Sequence, residues 1–237
     1  MKKVIWSFSL LVMALFLSCR EDEADRFFSG QNDKLIINFS VQDPTSGLAT
    51  RSAIAPEAGE ENVKTLDLFF FESNSTGTGT FKGLKELIAT PENPLVMNTD
   101  MVFDFSDIGL SMTEPYDILI VANMGDNYLP TDGSQTLADW KSAIQRKNYK
   151  EAKAEIQVFM SGTDTNVPEY TTKPLESDAL LMSASLKKGK QDTKLKAVLQ
   201  RAVSRFDIYS LAAGYTIETV SVWNAYPSLF VWNGEPN

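Results

Sequence analysis

Val63-Lys64-Thr65-Leu66-Asp67-Leu68-Phe69-Phe70-Phe71 is the most strongly strand-forming stretch of the chain. Its first half alternates, placing Leu66, Leu68 and Phe70 on one face as a half-buried strand requires. Its second half is apolar on both faces, which predicts a central strand with material packed on either side. Tyr116-Asp117-Ile118-Leu119-Ile120-Val121-Ala122-Asn123, ending at Gly125, is a second segment of this kind.

Outward from these two, shorter strands alternate with turn chemistry. Leu35, Ile37, Phe39 and Val41 share one face of an N-terminal strand, and Asn38 and Ser40 lie on the other. Asp43-Pro44-Thr45-Ser46-Gly47 ends it, and a polar, small-residue segment with Arg51 at its middle runs to Gly59. Leu84 to Ala89 and Met101 to Phe105 are strand candidates separated by a turn at Pro91 and Pro94. The Asn74 to Thr80 stretch reads as a loop, its Asn74-Ser75-Thr76 sequon included. Ala179 to Ala184, Leu195 to Val203, Tyr215 to Trp223 and Tyr226 to Trp232 resume strand patterning. Between Thr136 and Ile156 the period becomes helical: Leu137, Trp140 and Ile144 form a stripe, Thr136 and Asp139 fit a capping box, and a break falls near Asn148. Many short strands and one helix predict a mostly β chain, a β-sandwich with one amphipathic crossover helix.

The chain opens on Met1-Lys2-Lys3 and an apolar run from Val4 to Leu17, a leader of secretory rather than membrane-spanning length. Leu15-Phe16-Leu17-Ser18-Cys19 resembles the bacterial lipobox, with Phe16 where leucine is usual. The resemblance implies removal of residues 1–18 and acylation of Cys19, for instance by palmitate. Arg20-Glu21-Asp22-Glu23 resembles the export signal of surface lipoproteins of the Bacteroides group, and equally reads as a solvated tether.

Composition narrows the chemistry. The formal charge is -9, and loss of Lys2 and Lys3 with the leader takes it to -11. Such a balance argues against nucleic acid, whose phosphates need a basic surface. Histidine is absent and Cys19 is the only cysteine, which excludes Ser-His-Asp and Cys-His catalysis, the usual zinc sites and any intramolecular disulfide. Carboxylate catalysis is what remains, and no spacing singles out a pair of acids. The expectation is a protein that is not an enzyme and holds no cofactor or metal; Asp126-Asn127 and Asp132-Gly133 read as turn residues.

In order, the lipobox at Cys19, the strand Leu35 to Val41, the loop Ala49-Thr50-Arg51-Ser52 before Glu60 to Phe71, Leu180-Leu181-Met182-Ser183, and Val198-Leu199-Gln200-Arg201-Ala202-Val203-Ser204-Arg205-Phe206-Asp207-Ile208 resemble the fimbrillin family. These are the type V pilins and related outer-membrane lipoproteins of the Bacteroides group. The resemblance implies transthyretin-like β-sandwich domains and a fimbrial, adhesive role at the cell outer membrane. It implies cleavage by an arginine-specific protease between Arg51 and Ser52, and displacement of the strand bearing Leu35, Ile37, Phe39 and Val41. Other pilin subunits then become partners by β-strand addition, the outer membrane is a partner through the lipid on Cys19, and a receptor on a host or bacterial surface is a further one. The expected organisation is a signal peptide at 1–18, a lipidated tether and removable first strand at 19–51, an N-terminal sandwich at 52–200, and a linker strand with the start of a second β domain at 201–237. Type V pilins carry a complete second sandwich, whereas ~30 residues follow Ile208 here, as in a short variant or a truncated chain.

The alternative is a surface glycan-binding lipoprotein of a nutrient-uptake system, with Trp140, Trp223, Tyr226 and Trp232 as a stacking platform. Trp223 and Trp232 lie inside strand-like runs, which favours core packing for these rings.

Overall fold

The computed structural model describes residues 33–42, 62–130, 132–159, 179–202 and 228–232. In chain order the strands are β1 (Lys34–Val41), β2 (Thr65–Glu72), β3 (Phe81–Ile88), β4 (Asp100–Asp104) and β5 (Tyr116–Ala122). Helices α1 (Leu137–Gln145) and α2 (Tyr149–Glu155) follow, then β6 (Gln157–Phe159), β7 (Met182–Lys188), β8 (Lys194–Arg201) and β9 (Ser228–Phe230).

Seven strands form one sheet in the order β3-β2-β5-β7-β8-β1-β4, and β6 and β9 form a separate antiparallel ribbon. β5 pairs with β7 along its whole length, but β7 meets β8 only at Met182–Arg201 and Ser183–Gln200. Beyond those pairs the two strands part, so the sheet curls into two layers, β3-β2-β5-β7 and β8-β1-β4. Between them Leu66, Leu68, Phe70, Ile118 and Ile120 pack against Leu35, Ile37, Phe39, Phe103 and Leu199. This is the β-sandwich expected from the strand patterning.

The second face of the central strands carries the second core. Phe69, Phe71, Leu119 and Val121 meet Trp140 and Ile144 of α1, Ala152 of α2, Val158, Val231 and Trp232. Full burial of β2 from Leu66 to Phe71 therefore comes from two different partners, one on each side. Phe69 sits edge-on to both Trp140 and Trp232. Each indole N–H is bonded, Trp140 to the Gln157 carbonyl (3.1 Å) and Trp232 to that of Ile120 (2.9 Å), so neither ring is buried with an orphaned donor.

The amphipathic helix expected between Thr136 and Ile156 is interrupted where the sequence places its break, near Asn148, and forms α1 and α2. Thr136 and Asp139 cap the first reciprocally, as their spacing indicates, and Asn148 and Glu151 form a second capping box that restarts the helix after a break. Lys141 ties α1 to the sheet through the buried Asp67 (2.8 Å) and the exposed Glu86 (2.5 Å). In the β2–β3 hairpin a Cβ at Gly79 would lie 1.6 Å from the Glu72 carbonyl oxygen, so only glycine fits.

Candidate strand-exchange site

β1 is an interior strand. It runs parallel to β8 from Ile36–Lys194 to Val41–Leu199, and antiparallel to β4 from Lys34–Asp104 to Asn38–Asp100. Further backbone bonds fix its ends: the Ile36 N–H donates to Thr193 (2.9 Å), the Gln42 N–H to Leu199 (2.8 Å), and Asp33 accepts from the Phe105 N–H (2.8 Å). Among the described residues β4 has no other sheet neighbour, so it depends on β1 for its ladder.

The alternation in Lys34–Val41 decides which side chains enter the core. Leu35, Ile37 and Phe39 are fully buried and Val41 is half-buried against them. Phe39 packs edge-on to Phe103 of β4 at 6.1 Å between ring centroids. Burying an aliphatic or aromatic side chain of this size stabilises by ~1.5–3 kcal/mol, so these three supply a substantial share of the affinity of β1 for its slot. The four residues that the family resemblance assigns to the displaced strand thus share the inward face of one strand. Cys19, Arg51 and Ser52 lie outside the described residues.

Two polar residues that sequence reasoning did not single out fix the two ends of the sandwich. Lys188, the last residue of β7, is fully buried. Its ammonium donates to the carbonyls of Met112 (2.6 Å), Glu114 (3.1 Å) and Gly189 (2.9 Å), and lies over the rings of Phe105 (5.8 Å) and Tyr116 (6.0 Å). It closes the end of the sandwich where β7 and β8 part, next to the start of β1. Desolvation pushes its amine below the usual lysine range, against the opposing pull of Asp192 and Glu114. At the other end Asn123 adopts a left-handed backbone at φ 61°. Its side chain accepts from the Lys64 N–H (2.7 Å) and donates to the carbonyls of Asn62 (2.8 Å) and Leu180 (2.8 Å), joining the entries to β2 and β7. A lysine in a run of lysines, and an asparagine at a strand end, look solvated in sequence; only the tertiary arrangement gives them buried partners.

The stacking-platform alternative loses two of its four rings, because Trp140 and Trp232 are buried in the second core. Trp223 and Tyr226 lie outside the described residues. A cleft of about 160 Å³ beside Asn123, lined by Lys64, Asn127 and Tyr128 among others, is smaller than the ~300–1,000 Å³ usual for small-molecule sites. Asp126–Tyr128 is a short 3-10 turn, and no cluster of three or more metal-ligating side chains occurs among the described residues.

No family model matches the chain, and no curated protein matches it in sequence. Among solved structures it is similar to a candidate cell adhesion protein of Parabacteroides distasonis, at 16% identity and a TM-score of 0.37, over 70% of this chain and 39% of that one. It is also similar to a fimbrial assembly protein of the same organism, at 11% identity and a TM-score of 0.37, over 70% of this chain and 51% of that one. The chain therefore spans about half or less of the length of each. A likeness of this size fixes no function.

Proposed function

We propose that the protein is a cell-surface fimbrial subunit, or a fimbrillin-like lipoprotein, with a structural and adhesive role. In this reading it is exported with a lipid on Cys19, held at the outer membrane until a cut at Arg51, and assembled with other pilin subunits by strand exchange. The observation that supports it best is the position of β1. An interior strand carrying three fully buried side chains is joined to the remainder by the segment that contains Arg51. Loss of such a strand leaves unpaired ladder groups on β8 and β4 above an apolar slot, which favours an extended segment from another chain.

Limited digestion with an arginine-specific protease tests the processing step. The expected first product ends at Arg51; survival of the Arg51-Ser52 bond while other arginines are cut would remove the strand-release step. Growth with labelled palmitate tests the lipid: label should enter the wild type and be lost in Cys19→Ser, and equal labelling of the two would exclude Cys19 as the acylated residue.

A further inference from the structure

Besides its buried row, β1 carries a second row of side chains that points away from the core. Lys34, Ile36 and Asn38 each lie directly across from an outward residue of β4: Lys34 from Asp104, Ile36 from Val102 and Asn38 from Asp100. The three pairs match in kind. A cation lies beside an anion, an aliphatic side chain beside the 60% exposed Val102, and the Asn38 amide donates to one oxygen of Asp100 (3.0 Å). The second Asp100 oxygen takes Lys194 of β8, which reaches over β1 (2.6 Å), so the carboxylate is held with its first oxygen towards position 38. On the β8 side the neighbours of Ile36 and Asn38 are Lys194 and Lys196.

Inward apolar alternation is common to half-buried strands, so the slot alone accepts many segments. Cross-strand pairs on an exposed face each shift an equilibrium by ~1.5- to 5-fold, and three of them together are enough to rank segments whose inward faces are the same. A segment with its cation two places further on would set that cation beside Val102 and next to Lys194, and leave an uncharged group facing Asp104. A lost ion pair and two neighbouring like charges both disfavour it. We infer that β4, through Asp104, Val102 and Asp100, selects the strand that occupies the β1 slot by its outward row. The partner is then an extended segment with a cation, an aliphatic residue and a hydrogen-bond donor at alternate outward positions, in that order along the chain.

The choice of partner rests on the strand-exchange reading proposed above, whereas the pairing of β1 with β4 does not. Because the Lys34 and Asp104 side chains face solvent, salt screens their attraction and selection is sharper at low ionic strength.

Residues 19–237 contain every described element and, with Cys19→Ser, carry neither lipid nor a free thiol. After this form is cut with an arginine-specific protease, two end-capped peptides of one composition are compared for uptake: residues 33–42, and the same peptide with Lys34→Ile and Ile36→Lys. Their inward faces are identical, yet the second should be taken up ~10-fold more weakly at low salt, and the gap should narrow at high salt. Equal uptake of the two overturns the selection and leaves strand exchange standing. Uptake of neither removes strand exchange, and the choice of partner with it. The uncut chain supplies a reading that needs no exchange. In a cycle of Lys34→Gln, Asp104→Asn and the two together, the changes should be non-additive by ~2- to 5-fold in the unfolding equilibrium constant at low salt. Asparagine keeps an acceptor for the Ser106 N–H and hydroxyl, which both donate to Asp104, so the loss falls on the charge pair. Additive changes would mean that Asp104 does not read position 34, and would overturn the selection.

Discussion

At the scale of single residues, the informative positions are polar groups inside an apolar frame. Lys188 donates to the carbonyls of Met112, Glu114 and Gly189, and the bond to Met112 is buried. Truncation removes the buried stem and orphans the Met112 oxygen, so Lys188→Ala should destabilise by about 3 kcal/mol, read as a lower urea midpoint with an unchanged slope. The sign of its pH dependence follows from burial. Its amine titrates below the usual lysine value when folded, so the unfolded chain holds a proton that the native chain has already released as pH rises towards that value. Stability should therefore rise with pH across that alkaline window, and Lys188→Met should lose the rise. Asp139 works in the opposite direction. Hydrogen bonds from Thr136 hold its carboxyl below the usual range, so its contribution is present above that range and disappears as pH falls through the depressed value. Thermal melts of Asp139→Asn should show less acid sensitivity than the wild type.

At the scale of elements, periodicity identifies the face that meets the core, and capping chemistry sets where the element is interrupted. The alternation of Leu35, Ile37 and Phe39 identifies the inward face of β1 without reference to its neighbours. That β1 lies parallel to β8, more than 150 residues away in sequence, is a pairing between distant segments that no local pattern encodes. The helical stripe from Leu137 to Ile156 reads as one amphipathic helix broken near Asn148, because Trp140, Ile144 and Ala152 all reach the same core. The Arg146-Lys147-Asn148 break and the cap at Asn148 turn it into two. Asn148→Ala should cost about 1 kcal/mol of stability, in line with loss of an N-cap, and amide exchange should increase in α2 but not in α1. Equal loss of protection in both helices would mean that they act as one unit.

At the scale of the whole molecule, the fold class, the central strands β2 and β5, and the burial of Trp140 and Trp232 were legible in the sequence, because each follows from local apolar patterning. The curl that divides one sheet into two layers and the Lys188 closure were not, because each arises from strands brought together over long sequence separations. In the strand-exchange reading proposed above, β1 is a replaceable part whose slot accepts an extended segment of matching alternation. The most direct measurement is uptake of a labelled peptide, residues 33–42, by the protein before and after cleavage with an arginine-specific protease. Saturable, one-to-one uptake is expected for the cut protein alone, abolished when the peptide carries Ile37→Asp and Phe39→Asp. Uptake that is equal in cut and uncut protein, or absent from both, would contradict it.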